Sequence, residues 1–399
     1  MSFFDAPHRP YFVAGLVQAA FALILWMLWL LGAFAGAYPI PRLPVPAVAV
    51  HGFLMIYGLF PFFVFGFLAT TYPRWLQVQA LMPSEYRGAF LLRLAGLGLV
   101  YAGLALGAAI LISGILIMAM GDARLLMALF SVYRRGHAAV RPPVRLFNIT
   151  LALEVGGLLL YAAAFAWGSA TALAWAIRLG LYAFLVPTLF GVSYRMLPFF
   201  TAAVLPGYLR PAARPWIPLG FLAATAGHAL LAAQALYAPL AVLDGGIAVV
   251  AYYHAWLWFE PRVRRHGLLL LLYLGFAWLG LGFFLYAIRD VQLLRGGLSL
   301  GRGPLHALGL GFALSLVVAM VTRVSRGHSG RPLASDRSSW VALAGVQGAA
   351  LLRVAADIPA LNGLAPYDLS VFAAPLALAA LLPWILTYLR ILATSAPTP

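Results

Sequence analysis

The chain has 399 residues, of which 64% are hydrophobic and 9% are charged, and its formal net charge is +16. Soluble domains carry about 25% charged residues, and a soluble fold of this length has too little interior to bury so much apolar surface. The composition therefore excludes a soluble enzyme, a nucleic-acid-binding domain and a disordered chain, and it predicts a polytopic membrane protein. The sequence contains no cysteine, which excludes disulfides, thiolate metal ligands and iron–sulfur clusters.

Twelve apolar segments are long enough to cross a bilayer, which takes roughly 17–25 residues. The first follows a short polar N-terminus, so we expect no cleaved signal peptide. The segments leave no room for a soluble domain, so we predict an all-α bundle that forms one integral membrane domain over residues 1–399. The predicted spans are 11–36, 46–72, 88–107, 109–132, 146–168, 172–198, 215–236, 238–259, 267–288, 303–323, 339–357 and 368–393.

The basic residues indicate how the predicted helices are oriented. All of them are arginines, and most lie in the loops after even-numbered spans, such as Arg134 and Arg135 after the fourth and Arg264 and Arg265 after the eighth. The loops after odd-numbered spans carry few. Because basic loops are retained on the cytoplasmic side of a membrane, we expect both termini to lie in the cytoplasm.

Three short phrases at the arginine-rich ends of spans suggest an internal repeat. They are Thr71–Arg74 in the second span, Tyr194–Pro198 in the sixth and Thr322–Arg323 in the tenth, at offsets of 123 and 128 residues. One interpretation is that the bundle contains three copies of a four-helix unit. The alternative is that helices entering the cytoplasm commonly end in arginine, and the sequence leaves both interpretations open.

Two histidines lie at similar depths in separate predicted spans. His51 is near the start of the second span and His306 near the start of the tenth, and both spans are expected to descend from the outer side. Two imidazoles on separate helices can ligate a haem iron from its opposite faces. The alternative is that each imidazole is hydrogen-bonded to backbone or water inside the bundle.

The remaining histidines have simpler interpretations. His228 lies in the middle of the seventh span, where it could face a metal but more commonly bonds to a backbone carbonyl. His254 lies among tyrosine and tryptophan near the end of the eighth span, which is typical of an interfacial aromatic belt. His8, His137 and His266 lie in basic loops, where we expect them to face solvent.

Other ionisable side chains are candidates for proton handling or for structural ion pairs. Glu154 of the fifth span could relay protons, or it could pair with Arg124 of the fourth. Tyr273 of the ninth span could supply a proton, or it could simply pack. Arg353 and Asp357 have the spacing of an i,i+4 ion pair.

Two motifs near the tenth span resemble the signature of the NnrS family. They are Gly303–Leu308, which reads GPLHAL, and Val321–Pro332, which reads VTRVSRGHSGRP. Arg9–Phe12, Gly66–Thr70 and Arg195–Thr201 resemble further family phrases in the same order. The resemblance implies a twelve-helix protein of the bacterial inner membrane that binds haem and copper. It also implies a role in nitric oxide metabolism or in protection from nitrosative stress.

The resemblance also assigns expected roles to individual residues. His51 and His306 are expected to ligate the iron of haem b, since the chain has no Cys-x-x-Cys-His motif for covalent attachment. Arg323 and His328 lie in the signature and are expected to contribute to cofactor binding, His328 through a structural or supporting role. The expected partners are nitric oxide or a related small ligand, the lipid bilayer and an unidentified electron donor, with no nucleic acid.

The chain departs from the family pattern at two places. The family usually reads His-x-His-Glu-Met on the second span, whereas this chain reads His51-Gly-Phe-Leu-Met55, and Tyr273 stands where the family tends to have histidine. We therefore expect no stoichiometric copper. The predicted activity is that of a haem-dependent, nitric oxide reductase-like oxidoreductase or sensor, with Glu154 and Tyr273 as catalytic candidates. The alternatives are a small-solute transporter and a haem or copper assembly factor.

Overall fold

The computed structural model describes residues 3–40, 42–297, 300–364 and 368–394. Within these residues the regular structure is entirely helical, and twelve helices are long and apolar enough to cross a membrane, which confirms the predicted fold class. We number these helices α1 to α12. Their bounds are His8–Ala35, Ala47–Trp75, Pro83–Leu106, Ala108–Arg135, Pro142–Trp167, Ala170–Val204, Trp216–Ala233, Tyr237–Trp258, Gly267–Leu294, Gly303–His328, Arg337–Ala355 and Ser370–Ala393.

Several helices continue beyond the ends predicted from hydropathy. α6 continues to Val204, α9 to Leu294 and α10 to His328, whereas the predicted spans stop at residues 198, 288 and 323. Hydropathy marks the part of a helix that suits hydrocarbon, but a helix ends where its last carbonyls find other donors. Past α10 this happens at Gly330, whose φ of +66° lies in the left-handed region.

The α3–α4 hairpin is the tightest connection in the chain. Gly107 alone separates the two helices, with a φ of +126° that glycine tolerates and other residues rarely adopt, so the predicted short turn is confirmed. A Cβ atom added to Gly96 would lie 2.6 Å from the Gly114 carbonyl oxygen. The two backbones are therefore in direct contact, as is common where small residues line a membrane helix interface.

The contacts divide the chain into two compact units. Unit 1 contains the start of α1 through Ala22, then Ile40–Thr188 and Pro215–Leu222. Unit 2 contains Leu23–Pro39, Leu189–Arg214 and the chain from Ala223 onward.

Three spans contain a π-helical segment at corresponding places. The segments are Leu54–Leu59 in α2, Leu179–Leu185 in α6 and Ala307–Leu314 in α10, at offsets of 125 and 128 residues. π-Helical turns are rare, so their recurrence in the second helix of each successive set of four favours a threefold repeat over a chance resemblance of helix ends. α2 is also the most enclosed span, with 89% of its apolar window buried.

The first π segment is held by a tyrosine between two neighbouring helices. The Tyr57 hydroxyl donates a hydrogen bond of 2.6 Å to the carbonyl of Ala176. A Cβ atom added to Gly157 would lie 1.9 Å from that hydroxyl oxygen, and one added to Gly180 would lie 2.6 Å from it. The phenol therefore occupies space that any larger residue at these two positions would fill.

Gly157→Ala is expected to lower the free energy of unfolding by about 1–3 kcal/mol, because overpacking forces Tyr57 out of its position. Gly156→Ala is a matched control, since a Cβ atom there meets no heavy atom within 4 Å. The control should be neutral or stabilising, because alanine is better than glycine inside a helix by roughly 1 kcal/mol. Denaturation of the two purified variants in detergent measures the difference, and equal stability would contradict the packing described here.

Candidate functional site

Both candidate haem ligands immediately precede π segments. His51 lies three residues before the segment of α2, and His306 directly before that of α10. His51 belongs to unit 1 and His306 to unit 2. π-Helical turns frequently occur at functional sites, and this placement distinguishes the two residues from the other histidines of the chain.

The His306 imidazole has a defined tautomer. Its Nδ1 atom lies 3.0 Å from the carbonyl oxygen of Arg302. A carbonyl only accepts, so Nδ1 must carry the proton and Nε2 must carry the lone pair. Metal-ligating histidines are commonly oriented by such a bond from the other ring nitrogen. The imidazole of His306 is therefore prepared to act as a ligand through Nε2.

Glycine leaves open space beside His306. Gly309 lies three residues further on, on the same face of the helix, and a Cβ atom added there would meet no heavy atom of the described residues within 4 Å. By contrast, Gly52 beside His51 is close to the Tyr161 hydroxyl, at 3.2 Å from the added Cβ position. A ligand could thus approach the His306–Gly309 face, where the imidazole is a donor that suits a haem iron.

A buried ionic cluster lies in unit 1. Arg93 of α3 donates to the carboxylate of Asp122 on α4 and to the carbonyl of Tyr57 in the π segment. Its Nη1 atom is 3.8 Å from Oε1 of Glu154 on α5, and its guanidinium lies over the ring of Phe62, 4.7 Å from the centroid. Arg93, Asp122 and Glu154 are at most 2% exposed.

The partner of Glu154 is Arg93, which the sequence analysis did not consider. Of the alternatives for Glu154, the predicted pair with Arg124 is wrong, because the Arg124 side chain is exposed and lies beside Gly88. The sequence does indicate Arg93 as a candidate partner, because this arginine falls inside the third predicted span. The sequence could not show which way that arginine faces around a helix that is apolar on most sides.

The charges of the Arg93 cluster do not balance if both carboxyls are ionised. One guanidinium faces two carboxyl groups, and neither carboxyl oxygen of Glu154 has a hydrogen-bond partner among the described residues. An uncompensated charge in a fully buried cluster costs several kcal/mol. We therefore infer that one of these carboxyls holds a proton, and Glu154 is the one further from the guanidinium.

Glu154 and His51 belong to the same unit but do not touch. The Tyr161 hydroxyl donates to the carbonyl of Ala49, 2.9 Å away, which places Tyr161 near the level of His51. Glu154 precedes Tyr161 by seven residues, which is about 10 Å along an α-helix. The rings of Tyr57 and Tyr161 contact each other edge to face, with centroids 5.6 Å apart.

Tyr273 is engaged in hydrogen bonds at one end of unit 2. Its hydroxyl donates to the carbonyl of Trp258 at 2.6 Å and lies 2.9 Å from the Thr201 hydroxyl. The only proton of the phenol is therefore already committed to a backbone oxygen. This arrangement ties the start of α9 to the end of α8.

The helix register separates Tyr273 from His306. Gly282 of α9 packs against Leu308 of α10, and Gly275 packs against Ser315. His306 is therefore level with about residue 284 of α9, and Tyr273 lies about 17 Å further along the axis. The structure does not bring Tyr273 and His306 together.

Arg323 is also distant from His306. It follows His306 by 17 residues on the same helix, which is about 25 Å. The two side chains do not belong to one site of haem size. Arg323 is buried and its guanidinium stacks on the ring of Phe200, 3.9 Å from the centroid.

The signature turn after α10 is organised by Arg326. His328 is the exposed last residue of α10. Arg326 donates from Nε to the carbonyl of Pro332 at 2.8 Å and from Nη1 to Asp336 at 3.2 Å. Burial acts to raise the pKa of Asp336, but hydrogen bonds from Ser338, Tyr388 and Ser339 outweigh it and hold that pKa below its ordinary value. The contacts of Arg326 give this part of the signature a structural role.

The Nδ1 atom of His228 bonds to a carboxylate, where a backbone carbonyl was expected. Its Nδ1 atom lies 2.7 and 2.9 Å from the two carboxylate oxygens of Asp244 on α8. Asp290 of α9 accepts a hydrogen bond of 2.6 Å from Arg289. Neither aspartate was expected from the sequence to have this role, and Asp290 lies beyond the predicted end of the ninth span.

Two further histidines differ from expectation. His8 is buried rather than exposed to solvent, because it begins α1 and its backbone N–H donates to the Thr70 hydroxyl. His254 is 5% exposed and bonds to the carbonyl of Val250, so it is not part of a lipid-facing belt. Its neighbours Tyr253 and Trp256 are exposed, as a belt requires. The predicted pair of Arg353 with Asp357 is confirmed, at 3.1 Å.

The described residues contain no group of three or more histidine, aspartate or glutamate side chains placed to hold a metal ion. His228 and Asp244 bond directly to each other, and His254 bonds to backbone. Together with the two departures in sequence, this donor set does not fit a copper centre built by several imidazoles.

Comparison with protein families gives a match over nearly the whole chain. Residues 2–395 match the family described as NnrS protein, so the chain belongs to that family. A comparison with curated proteins finds no match.

Proposed function

We propose that this NnrS-family protein binds haem b and acts on nitric oxide, as a reductase-like oxidoreductase or as a sensor. It would lie in the bacterial inner membrane with both termini in the cytoplasm. The observation that carries the proposal is His306, whose Nδ1–H is fixed by the Arg302 carbonyl and whose helix leaves open space at Gly309. Its position next to a π segment and the family membership support the same conclusion.

His51 and His306 are the proposed ligands of the haem iron. A haem held there would supply a binding site for a small diatomic ligand and a one-electron redox centre. The chain itself would orient the His306 imidazole, and it contains no thiolate that could compete with imidazole for the iron. The bond from Nδ1 of His306 to Arg302 sets the ring orientation, and the absence of cysteine from the sequence leaves imidazole as the strongest available ligand type.

Reduction of nitric oxide consumes protons as well as electrons, and Glu154 is the proposed proton-holding group. The Arg93 guanidinium fixes the position of Asp122, and Glu154 would hold a proton in a region closed to water. This proton lies about 10 Å along α5 from the level of His51. Electrons would come from a separate donor protein. Tyr273 stays a catalytic candidate only for steps remote from His306, because of its distance along α9.

A visible spectrum with a pyridine haemochrome assay and metal analysis tests the proposal. The detergent-purified protein is expected to show a Soret band, non-covalent b-type haem, about one iron per chain and no stoichiometric copper. Added nitric oxide should shift the band of the reduced protein. A protein without haem would favour the small-solute transporter, and one that passes its haem to an acceptor would favour the assembly factor. A copper-to-iron ratio near one after chelator treatment would contradict the metal assignment.

A further inference from the structure

A short turn before α10 carries the carbonyl group that orients His306. The Arg302 carbonyl accepts a hydrogen bond of 3.2 Å from the backbone N–H of His306, and its oxygen lies 3.0 Å from Nδ1 of the imidazole. The turn, Leu300–Gly303, is closed by a hydrogen bond of 3.0 Å from the N–H of Gly303 to the carbonyl of Leu300. Because the imidazole is bonded to this turn, the position of the turn affects both the tautomer and the direction of the ring.

The carboxylate of Asp357 lies against both glycines of the turn. A Cβ atom added to Gly301 would lie 2.9 Å from its Oδ1 atom, and one added to Gly303 would lie 3.3 Å from its Oδ2 atom. Gly301 also has a φ of +47°, a left-handed conformation that glycine adopts at little cost. Arg302 stands between these two glycines. The carboxylate therefore packs on the backbone at either side of the residue whose carbonyl orients His306.

Two neighbouring helices hold the turn in place. Arg353, in the last turn of α11, donates from Nη1 to Oδ2 of Asp357 at 3.1 Å, and the two side chains are only 16% and 20% exposed. From α9, the side chain of Gln292 accepts a hydrogen bond of 3.2 Å from the N–H of Leu300. The ion pair thus fixes the carboxylate against the glycines, and the glutamine fixes the first residue of the turn.

The charge of Asp357 also suits the start of α10. The first N–H groups of a helix lack partners within it, and a helix N-terminus carries a partial positive charge. Oδ2 of Asp357 lies against Gly303, the first residue of α10. A carboxylate stabilises a helix at this end. Asp357 therefore favours the first turn of α10, which is the turn that contains His306.

We propose that Asp357 is a positioning residue for His306. Its carboxylate, held by Arg353, fixes the turn at Gly301 and Gly303. Through the Arg302 carbonyl it thereby fixes the imidazole with the proton on Nδ1 and the lone pair on Nε2. The importance of this orientation for haem binding rests on the proposed function, whereas the orientation itself does not depend on a bound haem.

The first test measures the tautomer of His306 in the full-length protein without haem. The protein is labelled with nitrogen-15 histidine and purified in detergent at about pH 8, where a histidine of ordinary pKa is neutral. The NMR signals of His306 are assigned from their loss in His306→Ala. Wild type should show the Nδ1–H tautomer. Asp357→Ala should lose part of that signal to the Nε2–H tautomer, because the Arg302 carbonyl is no longer held, and Asp357→Asn should lose less because it keeps the shape.

Two glycine variants test the same contact from the other side. Gly301→Ala places a methyl group against the Asp357 carboxylate and should change the tautomer as Asp357→Ala does. Gly296→Ala is the matched control, because Gly296 has a φ of +66° and a Cβ atom there meets no heavy atom of the described residues within 4 Å. The backbone strain is similar in the two variants, so only Gly301→Ala should affect His306.

Haem binding is the second measurement. Asp357→Ala is expected to lower the apparent affinity for haem by about tenfold, as is typical for loss of a residue that supports a metal ligand. An unchanged tautomer in both Asp357→Ala and Gly301→Ala would overturn the proposal, and so would equal changes in Gly301→Ala and Gly296→Ala. A wild-type protein that binds no haem, but shows the Nδ1–H tautomer and loses it in Asp357→Ala, would support the positioning role and refute the proposed function.

Discussion

Arg93→Leu is expected to lower the free energy of unfolding by about 3–5 kcal/mol, the cost of leaving a buried charge without its partner. Asp122 would lose the guanidinium that it faces, and the Tyr57 carbonyl in the π segment would lose a donor. Neither can turn to water, because Arg93 and Asp122 are at most 2% exposed. Denaturation of the purified variant in detergent, compared with wild type, measures the loss.

Arg87→Leu is the control for the Arg93 experiment. Arg87 lies on the same helix but is exposed, and exposed surface charges contribute roughly 0–1 kcal/mol. The double variant Arg93→Leu, Asp122→Asn removes both charges and should recover most of the stability, since Glu154 is inferred to hold the proton. A double variant no more stable than Arg93→Leu alone would show that packing, rather than charge, holds this region.

His306→Ala is expected to reduce the haem content of the purified protein by at least about tenfold. Loss of a residue that only supports a metal ligand already lowers metal affinity by about 10- to 100-fold, and here a ligand itself is lost. His51→Ala should reduce haem content or change the iron spin state, because a second axial ligand is lost. Neither substitution removes a large buried side chain, so membrane insertion should be retained. The haem-to-protein ratio and the visible spectrum are the measurements.

The matched control for the histidine variants is His137→Ala, at an exposed loop position. It should bind haem as wild type does. Imidazole added to His306→Ala should partly restore the spectrum, since a free ligand can occupy the space of the deleted ring. Unchanged haem content and spectra in both His51→Ala and His306→Ala would refute the ligand assignment while leaving the fold intact.

The helices could be predicted from sequence because a bilayer imposes a length on apolar segments. The same length limit predicted the α3–α4 turn, because the apolar run there is too long for one span and Gly107 interrupts it. It could not give the helix ends, because polar residues such as Asp290 continue a helix outside the hydrocarbon. Nor could it give the π segments, because a helix that is apolar all round has no periodic pattern in which an extra residue per turn would show.

The candidate site was only partly predictable for a similar reason. Hydropathy gives the depth of a residue but not its direction around the helix axis. Depth left open whether Glu154 relays protons or forms an ion pair, and whether it faces Arg93 or Arg124 depends on direction. His228 meets Asp244 across two neighbouring helices, and no spacing rule within one helix could show that. The grouping of His51 and His306 rests on their depth and on the family resemblance.

The π segment of α2 also fixes an angular relation within that helix. Each π turn contains about one residue more than an α turn, so the part before Leu54 is rotated relative to the part after Leu59. Deleting one residue between them would restore a regular α-helix and turn Ala47–Phe53 by about 100° around the axis. His51 would then face a different neighbour while the Tyr72 end of α2 stayed in place. The extra residue therefore sets the direction in which the imidazole of His51 is presented.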